Sequence, residues 1–401
     1  MPQETQQQQD AAALLLPYVD TVLENSDAGH PYWNREVIRS GEENRWNYID
    51  GCMIRGILEL YSITGKEKYL TFADRYVGYF VQEGGSVRTY CLEDYTLDNI
   101  NGARNLFLLY EKTGKEKYRK AMDLFRSQLD TQPRTFEGSF WHKKIYPDQV
   151  WLDGIYMAMP FYAQYEVVCR RCGMVSRSIK GTGIEDVCRQ IELVGERMRD
   201  PKTGLYYHGY DASRRMYWAD KETGCSSCFW LRAIGWFILG LADVLEILMD
   251  LPEYQAHVTK IGTMFRDLAG ALVPYQDPSG LFYQLVDQKD LPGNYLESSG
   301  SALVAAALLK GARLGFLDDD LKKAGERCFE GLVRERLTKG EDNELHLTGI
   351  CLVAGLGGVT HRDGSPAYYL SEPVVDDDAK GIGPLLLAFT ERLRTEGGLN
   401  G

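Results

Sequence analysis

Apolar residues fall at helical spacing through most of the chain, and they do so in a two-part unit that repeats. Ile49, Met53, Ile54, Ile57, Leu58 and Tyr61 make a helix of mostly apolar character. Tyr69, Phe72, Ala73, Tyr76 and Phe80 then form one stripe on a second helix whose other side is charged. The hexapeptide T-G-K-E-K-Y joins the two at residues 64–69 and returns at residues 113–118, an offset of 49. Ile100, Ala103, Leu106, Phe107 and Tyr110 precede the second copy, and Tyr118, Ala121, Met122, Phe125 and Leu129 follow it. The glycine of each T-G supplies the left-handed residue that ends the first helix.

Similar openings at Asp153, Arg232, Ser299 and Asp378 bring the units to six, each an apolar inner helix and a one-sided outer helix. Helical hairpins of this kind stack as an open solenoid or close into a ring. Inner helices that are apolar nearly all round favour the ring, because both of their faces need apolar partners. The expected fold is therefore all-α, a closed barrel of six helical hairpins. Pro160, inside the third inner helix, costs a hydrogen bond and predicts a kink or a late start there. The loops ahead of the inner helices (residues 33–46, 135–151, 205–230, 281–299 and 361–373) are long and rich in Trp, Tyr, His and Gly, whereas those after them are short. A cleft is expected at the N-terminal ends of the inner helices. No linker divides the chain, so residues 1–401 are expected to form one domain, with residues 1–10 a disordered or frayed start.

Composition narrows the partners. The 401 residues are 44% hydrophobic and 25% charged, enough for a large core. A formal net charge of -12 offers nucleic-acid phosphates no broad basic surface, so an acidic ligand would have to be small and met by local arginines. The N-terminus has neither a basic leader nor an apolar core, and Leu14, Leu15 and Leu16 are followed at once by Pro17. No apolar run approaches the roughly 20 residues that span a bilayer. Nine cysteines, an odd number, suit a reducing compartment. A cytoplasmic monomer or homodimer is expected.

Two aspartates stand out at the starts of successive inner helices, Asp98 in L-D-N-I-N-G and Asp153 in W-L-D-G-I-Y-M. Either alone fits a helix N-cap. Two in the same role, among aromatic loops, point to a carboxylate pair for acid–base work on a sugar. Asp153 sits among Trp151, Leu152 and Ile155, surroundings that raise a carboxyl pKa, and is the expected proton donor. His208, in Y-Y-H-G-Y-D, reads either as a surface loop residue or as a sugar contact. Trp230, Arg232 and Trp236 lie in F-W-L-R-A-I-G-W, where Arg232 and Trp236 share a helix face and Trp230 reaches over the same mouth. Guanidinium forks match carboxylates and indoles stack on sugars, so this segment reads as a uronate pocket, the alternative being core packing around a structural ion pair. Tyr48 and His142 precede the first and third inner helices and are weaker candidates. Cys169-x-x-Cys172 and Cys225-x-x-Cys228 have the look of a four-thiolate zinc site. Their 53-residue separation far exceeds the roughly 15–20 usual for one, and reduced thiols are expected. No phosphate loop, dinucleotide fingerprint, nucleophile elbow or zinc-protease motif is present.

From R-W-N-Y-I-D-G near Arg45 to the end, the chain resembles the unsaturated rhamnogalacturonyl hydrolases of glycoside hydrolase family 105, with the unsaturated glucuronyl hydrolases of family 88 as cousins. The likeness runs in order through L-D-N-I-N-G, W-L-D-G-I-Y-M-A-M-P-F, Y-Y-H-G-Y-D, W-A-D-K-E-T-G, F-W-L-R-A-I-G-W, E-S-S-G-S-A and Y-Y-L-S-E-P-V-V-D-D-D-A-K-G-I-G-P. It implies an (α/α)6 barrel, which agrees with the six hairpins. It also implies hydration of the 4,5 double bond of an unsaturated uronic acid at the non-reducing end of a small oligosaccharide. On that resemblance Asp153 is the acid and then the base, and Asp98 positions the sugar. Tyr48, His142, His208, Trp230, Arg232 and Trp236 fall on substrate-binding positions, and no metal or organic cofactor is implied. Three other readings stay open: the same chemistry on unsaturated glucuronyl substrates, a non-catalytic helical-repeat binding protein, and a sugar epimerase, which needs paired histidines from a chain that has six.

Overall fold

In the computed structural model, residues 2–171 and 183–395 are described, with side chains from 11 to 169 and from 183 onward. Helices α1 (Pro2–Glu24), α2 (Arg35–Ser40), α3 (Tyr48–Thr64) and α4 (Glu67–Phe80) open the chain. A 3-10 segment, Leu97–Arg104, then leads directly into α5 (Asn105–Thr113), followed by α6 (Glu116–Thr131), α7 (Asp153–Arg171) and α8 (Ile184–Met198). Next come α9 (Leu231–Leu248), α10 (Gln255–Leu272), α11 (Ser298–Arg313) and α12 (Asp319–Glu335). The short α13 (Pro366–Ser371) and α14 (Ala379–Thr395) complete the set.

The inner helices are α3, the 97–113 segment, α7, α9, α11 and α14, and each packs against the next until α14 meets α3. The fold is an (α/α)6 barrel. Closure follows from composition: residues 231–245 of α9 and 298–311 of α11 are buried without interruption, as an element needs when it has neighbours on every side. Gly65 and Gly114 end α3 and α5 in the left-handed region, at φ 63° and 65°, each N–H donating to the carbonyl four residues back.

The repeat also explains the sixth outer helix. In the second copy, Lys115 and Tyr118 both bind Asp74 of the preceding outer helix, α4, at 2.5 and 2.6 Å. In the first copy, Tyr69, the counterpart of Tyr118, binds Asp20 of α1 at 3.4 Å, and the lysine that joins it is Lys68, the counterpart of Lys117, at 2.6 Å. Helix α1 therefore takes the place of an outer helix before α4. The last inner helix, α14, has no successor among the described residues, so the ring is completed from the opposite end of the chain. The barrel of six helical pairs expected from sequence is thus present, with its sixth outer helix drawn from the start of the chain. Residues 2–10, read from sequence as a frayed start, lie within α1, whose Gln and Glu residues are good helix formers.

Prolines interrupt less than expected. Helix α7 begins at Asp153 and runs through Pro160, so there is no late start, and α1 and α14 contain Pro17 and Pro384. The local cost of such a proline, about 3 kcal/mol, is outweighed where the helix is buried on both sides of it, as residues 157–163 are. The strands are short pairs on the loops. One matters for the site: β1 (Gln149–Trp151) pairs antiparallel with β2 (Gly209–Asp211), Trp151 opposite Gly209.

Candidate active site

Five carboxylates stand at or near the starts of inner helices, and their hydrogen bonds divide them. Asp50 of α3 accepts from Trp33, Asn44 and Tyr76. Glu297 caps α11 by accepting from the N–H groups of Ser299 and Gly300, and also from that of Cys351. Asp378 accepts the N–H of Lys380 and pairs with its ammonium. These three are structural, satisfied by groups that need them. Asp98 and Asp153 differ: among the described residues no backbone N–H bonds either carboxylate, and each faces an imidazole instead. The capping role open to them from sequence is not the one they fill.

Asp98, in the 3-10 segment, pairs with Lys143 Nζ at 2.6 Å and His142 Nε2 at 3.3 Å. Burial alone would raise its pKa, but Lys143 and then His142 outweigh burial and hold the carboxyl well below the usual carboxylate range. The pairing is built by the backbone, since Leu97 N–H donates to the carbonyl of His142 at 3.0 Å. Replacing Lys143 with Met is expected to return Asp98 toward the ordinary carboxylate range. Carbon-13 NMR titration of the aspartates would show this, and an unchanged Asp98 would assign the whole effect to His142.

Asp153 opens α7, and its Oδ2 lies 3.3 Å from Nε2 of His208. The β1–β2 ladder sets this distance, because Leu152 N–H donates to the carbonyl of His208 at 3.1 Å. Gly209 permits the approach: a Cβ there would lie 2.4 Å from Leu356 and 3.3 Å from Trp151. His208 is 0% exposed, and burial pushes its pKa down despite the pull of Asp153, so the ring is neutral near pH 7. The imidazoles of the two pairs contact one indole. His142 stacks on Trp151 at 4.5 Å, and His208 meets the same indole edge-on at 5.4 Å. One carboxylate is thus held ionised by a cation, and the other sits beside a neutral imidazole.

The remaining sequence candidates separate. Tyr48, the first residue of α3, is half-buried within electrostatic reach of Glu36, Arg232, Asp98 and Asp378; burial and then Glu36 raise its pKa well above the ordinary phenol. Trp230 packs 4.7 Å from the His208 ring and carries Arg232 over its face at 4.9 Å. Arg232 is 1% exposed and donates to Ser299 Oγ and to the carbonyls of Cys351 and Leu352. Its core partners are thus a hydroxyl and carbonyls instead of the carboxylate of a structural ion pair. Trp236 shares the helix but not the mouth, because its ring stacks on Tyr156 at 4.7 Å inside the barrel wall. A spacing of four fixes a helix face, and here that face continues into the core.

Lys143, Tyr369 and Arg362 escaped the sequence reading. Tyr369 bonds His208 Nδ1 through its hydroxyl at 2.7 Å. Arg362 donates to Tyr146, which stacks on Trp151 at 5.1 Å. Lys143 had a signal in its adjacency to His142, and Tyr369 in the Y-Y-L-S-E-P segment. Cys172 lies outside the described residues. Cys225 is a thiol whose Sγ contacts the carbonyl of Arg197 at 3.2 Å, and burial pushes its pKa up to about 11. Among the described residues no three His, Cys, Asp or Glu side chains group to hold a metal, and no helix is long and apolar enough to cross a membrane.

Known proteins resemble this chain in sequence and fold. The model of Glycosyl Hydrolase Family 88 matches residues 22–396. Protein Atu3128 of Agrobacterium fabrum is 40% identical over 243 residues, 59% of this chain and 98% of that protein. Unsaturated rhamnogalacturonyl hydrolase YesR of Bacillus subtilis is 28% identical over 276 residues, 67% of this chain and 72% of its own. The solved structure of a family 105 glycoside hydrolase from C. acetobutylicum superposes with a TM-score of 0.81 at 41% identity, covering 89% of this chain and 96% of that one. A family match across nearly the whole chain, joined to unequal carboxylates at the mouth of an (α/α)6 barrel, makes this protein a glycoside hydrolase belonging to family 88 and its family 105 relatives.

Proposed function

We propose that the enzyme hydrates the 4,5 double bond of an unsaturated galacturonic acid at the non-reducing end of a small oligosaccharide and thereby releases rhamnose or a rhamnose-ended product. The observation that carries this reading is the inequality of the two carboxylates. Attack at an anomeric carbon uses two carboxyl groups in complementary roles. Hydration of a vinyl ether needs one group that gives a proton and then takes one back, with a second, permanently ionised group beside it. Asp153 fits the first role and Asp98 the second. Asp153 gives its proton to C4, leaving positive charge shared between C5 and the ring oxygen. As a carboxylate, Asp153 then takes a proton from the water that adds at C5. The hemiketal so formed opens to a C5 ketone, and the leaving sugar departs from C1. Ionised Asp98 holds sugar hydroxyls and stabilises the positive charge, and Lys143, paired with Asp98, and Arg362, 6.0 Å from the Trp151 ring, are the cations available to the uronate carboxylate.

The galacturonyl–rhamnose preference is supported by the relationship to YesR. It is tested by following loss of the double-bond ultraviolet absorbance with two unsaturated disaccharides, galacturonyl–rhamnose and glucuronyl–N-acetylglucosamine. A kcat/KM at least about tenfold higher for the first is expected, a difference of about 1.4 kcal/mol in transition-state binding. The reverse order would assign the enzyme to glucuronyl substrates, and loss with neither would return the barrel to a binding role.

A further inference from the structure

Tyr369 of α13 is fully buried, stacked 5.8 Å from Trp230, and its hydroxyl lies 2.7 Å from His208 Nδ1. Among the described residues that hydroxyl has no other hydrogen-bond partner. A phenol carries one proton to donate, and a buried donor left unused is costly. If Tyr369 accepted from an Nδ1–H, its own proton would be stranded in an apolar wall made by Trp230 and the His208 ring. Donation to Nδ1 satisfies it. A neutral imidazole that accepts at Nδ1 carries its hydrogen at Nε2, the nitrogen that faces Asp153 Oδ2 at 3.3 Å.

We propose that Tyr369 is a positioning residue that locks His208 in the Nε2–H tautomer and so directs the acidic proton of Asp153 toward substrate. The inference rests on the functional reading above and deepens it. With Nε2–H aimed at Oδ2, that oxygen is an acceptor, and the proton of the acid form must sit on Oδ1. Oδ2 is buried, whereas no described residue hydrogen-bonds Oδ1, which leaves Oδ1 for the double bond. In the other tautomer, the bare Nε2 lone pair would draw the proton to Oδ2, into the wall and away from C4. The present Nε2–Oδ2 contact is too poorly aligned for a hydrogen bond, as catalytic contacts often are before substrate closes the site. The charged and titratable groups facing the pair are Asp153, His142 and Arg362 around His208, and Cys228, Tyr368, Asp153 and Arg362 around Tyr369. None of them hydrogen-bonds Nδ1, so Tyr369 sets the tautomer from that nitrogen, while Asp153 faces the other.

Nitrogen-15 NMR of the full-length enzyme labelled at histidine, with His208 assigned by loss of its signal in His208→Gln, reads the tautomer directly. The expected result is Nε2–H in the wild type near pH 7. Tyr369→Phe, which keeps the ring, is expected to populate Nδ1–H and to lower kcat about tenfold with KM within about twofold, the scale of one hydrogen bond. An Nδ1–H tautomer in the wild type overturns the proposal whatever the variant does, and so does a Tyr369→Phe enzyme of unchanged kcat. Equal losses in kcat and thermal stability for Tyr369→Phe would make the residue merely structural and overturn its positioning role. A wild type that shows Nε2–H yet hydrates no unsaturated uronide overturns the functional reading and the proton-directing role together, while the tautomer lock itself stands.

Discussion

Asp153→Asn is expected to lower kcat by about a thousandfold or more while leaving the thermal unfolding temperature close to that of the wild type. The size follows from losing both proton transfers at once, since general acid–base catalysis contributes roughly 10²–10⁴-fold for each group in play. The small effect on folding follows from the bonding of this carboxylate. Asp153 accepts no backbone hydrogen bond among the described residues, and its contact is the 3.3 Å approach of His208, which an amide oxygen can receive as well. Asp98→Asn makes the contrast. It removes the charge that balances Lys143, so a lysine shielded from most solvent is left facing an amide, and stability falls along with activity. The two variants are compared by initial rates of absorbance loss and by circular dichroism melts. An Asp153→Asn enzyme with near-normal kcat would place the acid elsewhere, and a cooperative fold lost in that variant would make Asp153 structural after all.

The same bonding pattern explains what was legible in the sequence. Asp98 and Asp153 were visible because the chain repeats, so that two carboxylates in equivalent positions draw attention that one would not. What sequence did not reveal is that Asp50, Glu297 and Asp378 occupy similar positions and are satisfied by structural partners, some close in the chain, as Lys380 is to Asp378 and Asn44 to Asp50, and others brought in by the fold, as Trp33 and Tyr76 are to Asp50 and Cys351 to Glu297. Tyr369 is a buried residue that local sequence does not set apart, and its hydroxyl acquires a role through a histidine 161 positions away. Lys143 looked like any loop lysine until Asp98 was folded beside it. Trp236 shares a helix face with Arg232 by spacing, but periodicity does not say how far up the barrel the cleft ends. Helix α1 was missed as the sixth outer helix for the same reason: its match to α4 depends on Asp20 answering Lys68 and Tyr69, a partnership that local pattern does not contain.

The second large effect belongs to the opposite end of the barrel, away from the chemistry. Asp243 of α9 is buried between Arg104 Nη2 and Lys310 Nζ, each at 2.7 Å, and Lys310 also reaches Glu246 at 2.8 Å. Asp243→Ala is expected to destabilise the protein by about 3 kcal/mol, the lower end of the roughly 3–5 kcal/mol typical of removing one partner from a buried pair. Lys310 keeps Glu246, which limits the loss. Arg104 keeps nothing equivalent, because its Nε and Nη1 already lack hydrogen-bond partners. A polar cavity of about 320 Å³ bordered by Arg55, Arg104, Asp243, Glu246 and Asp250 gives water access to the stranded guanidinium and argues against a larger figure. The sign of the pH dependence follows from Asp243 itself. Burial would raise its pKa, but Lys310 and then Arg104 outweigh burial, and the folded-state value lies below the ordinary one. The stabilisation is therefore fully present above the unfolded aspartate pKa of about 3.9 and is lost as pH falls through the depressed folded value. The gap in unfolding temperature between wild type and Asp243→Ala should be wide at pH 7 and shrink progressively below about pH 4, while Tyr369→Phe, which touches no part of this network, shows no such narrowing. A gap independent of pH would mean that Asp243 contributes through packing and not through its charge.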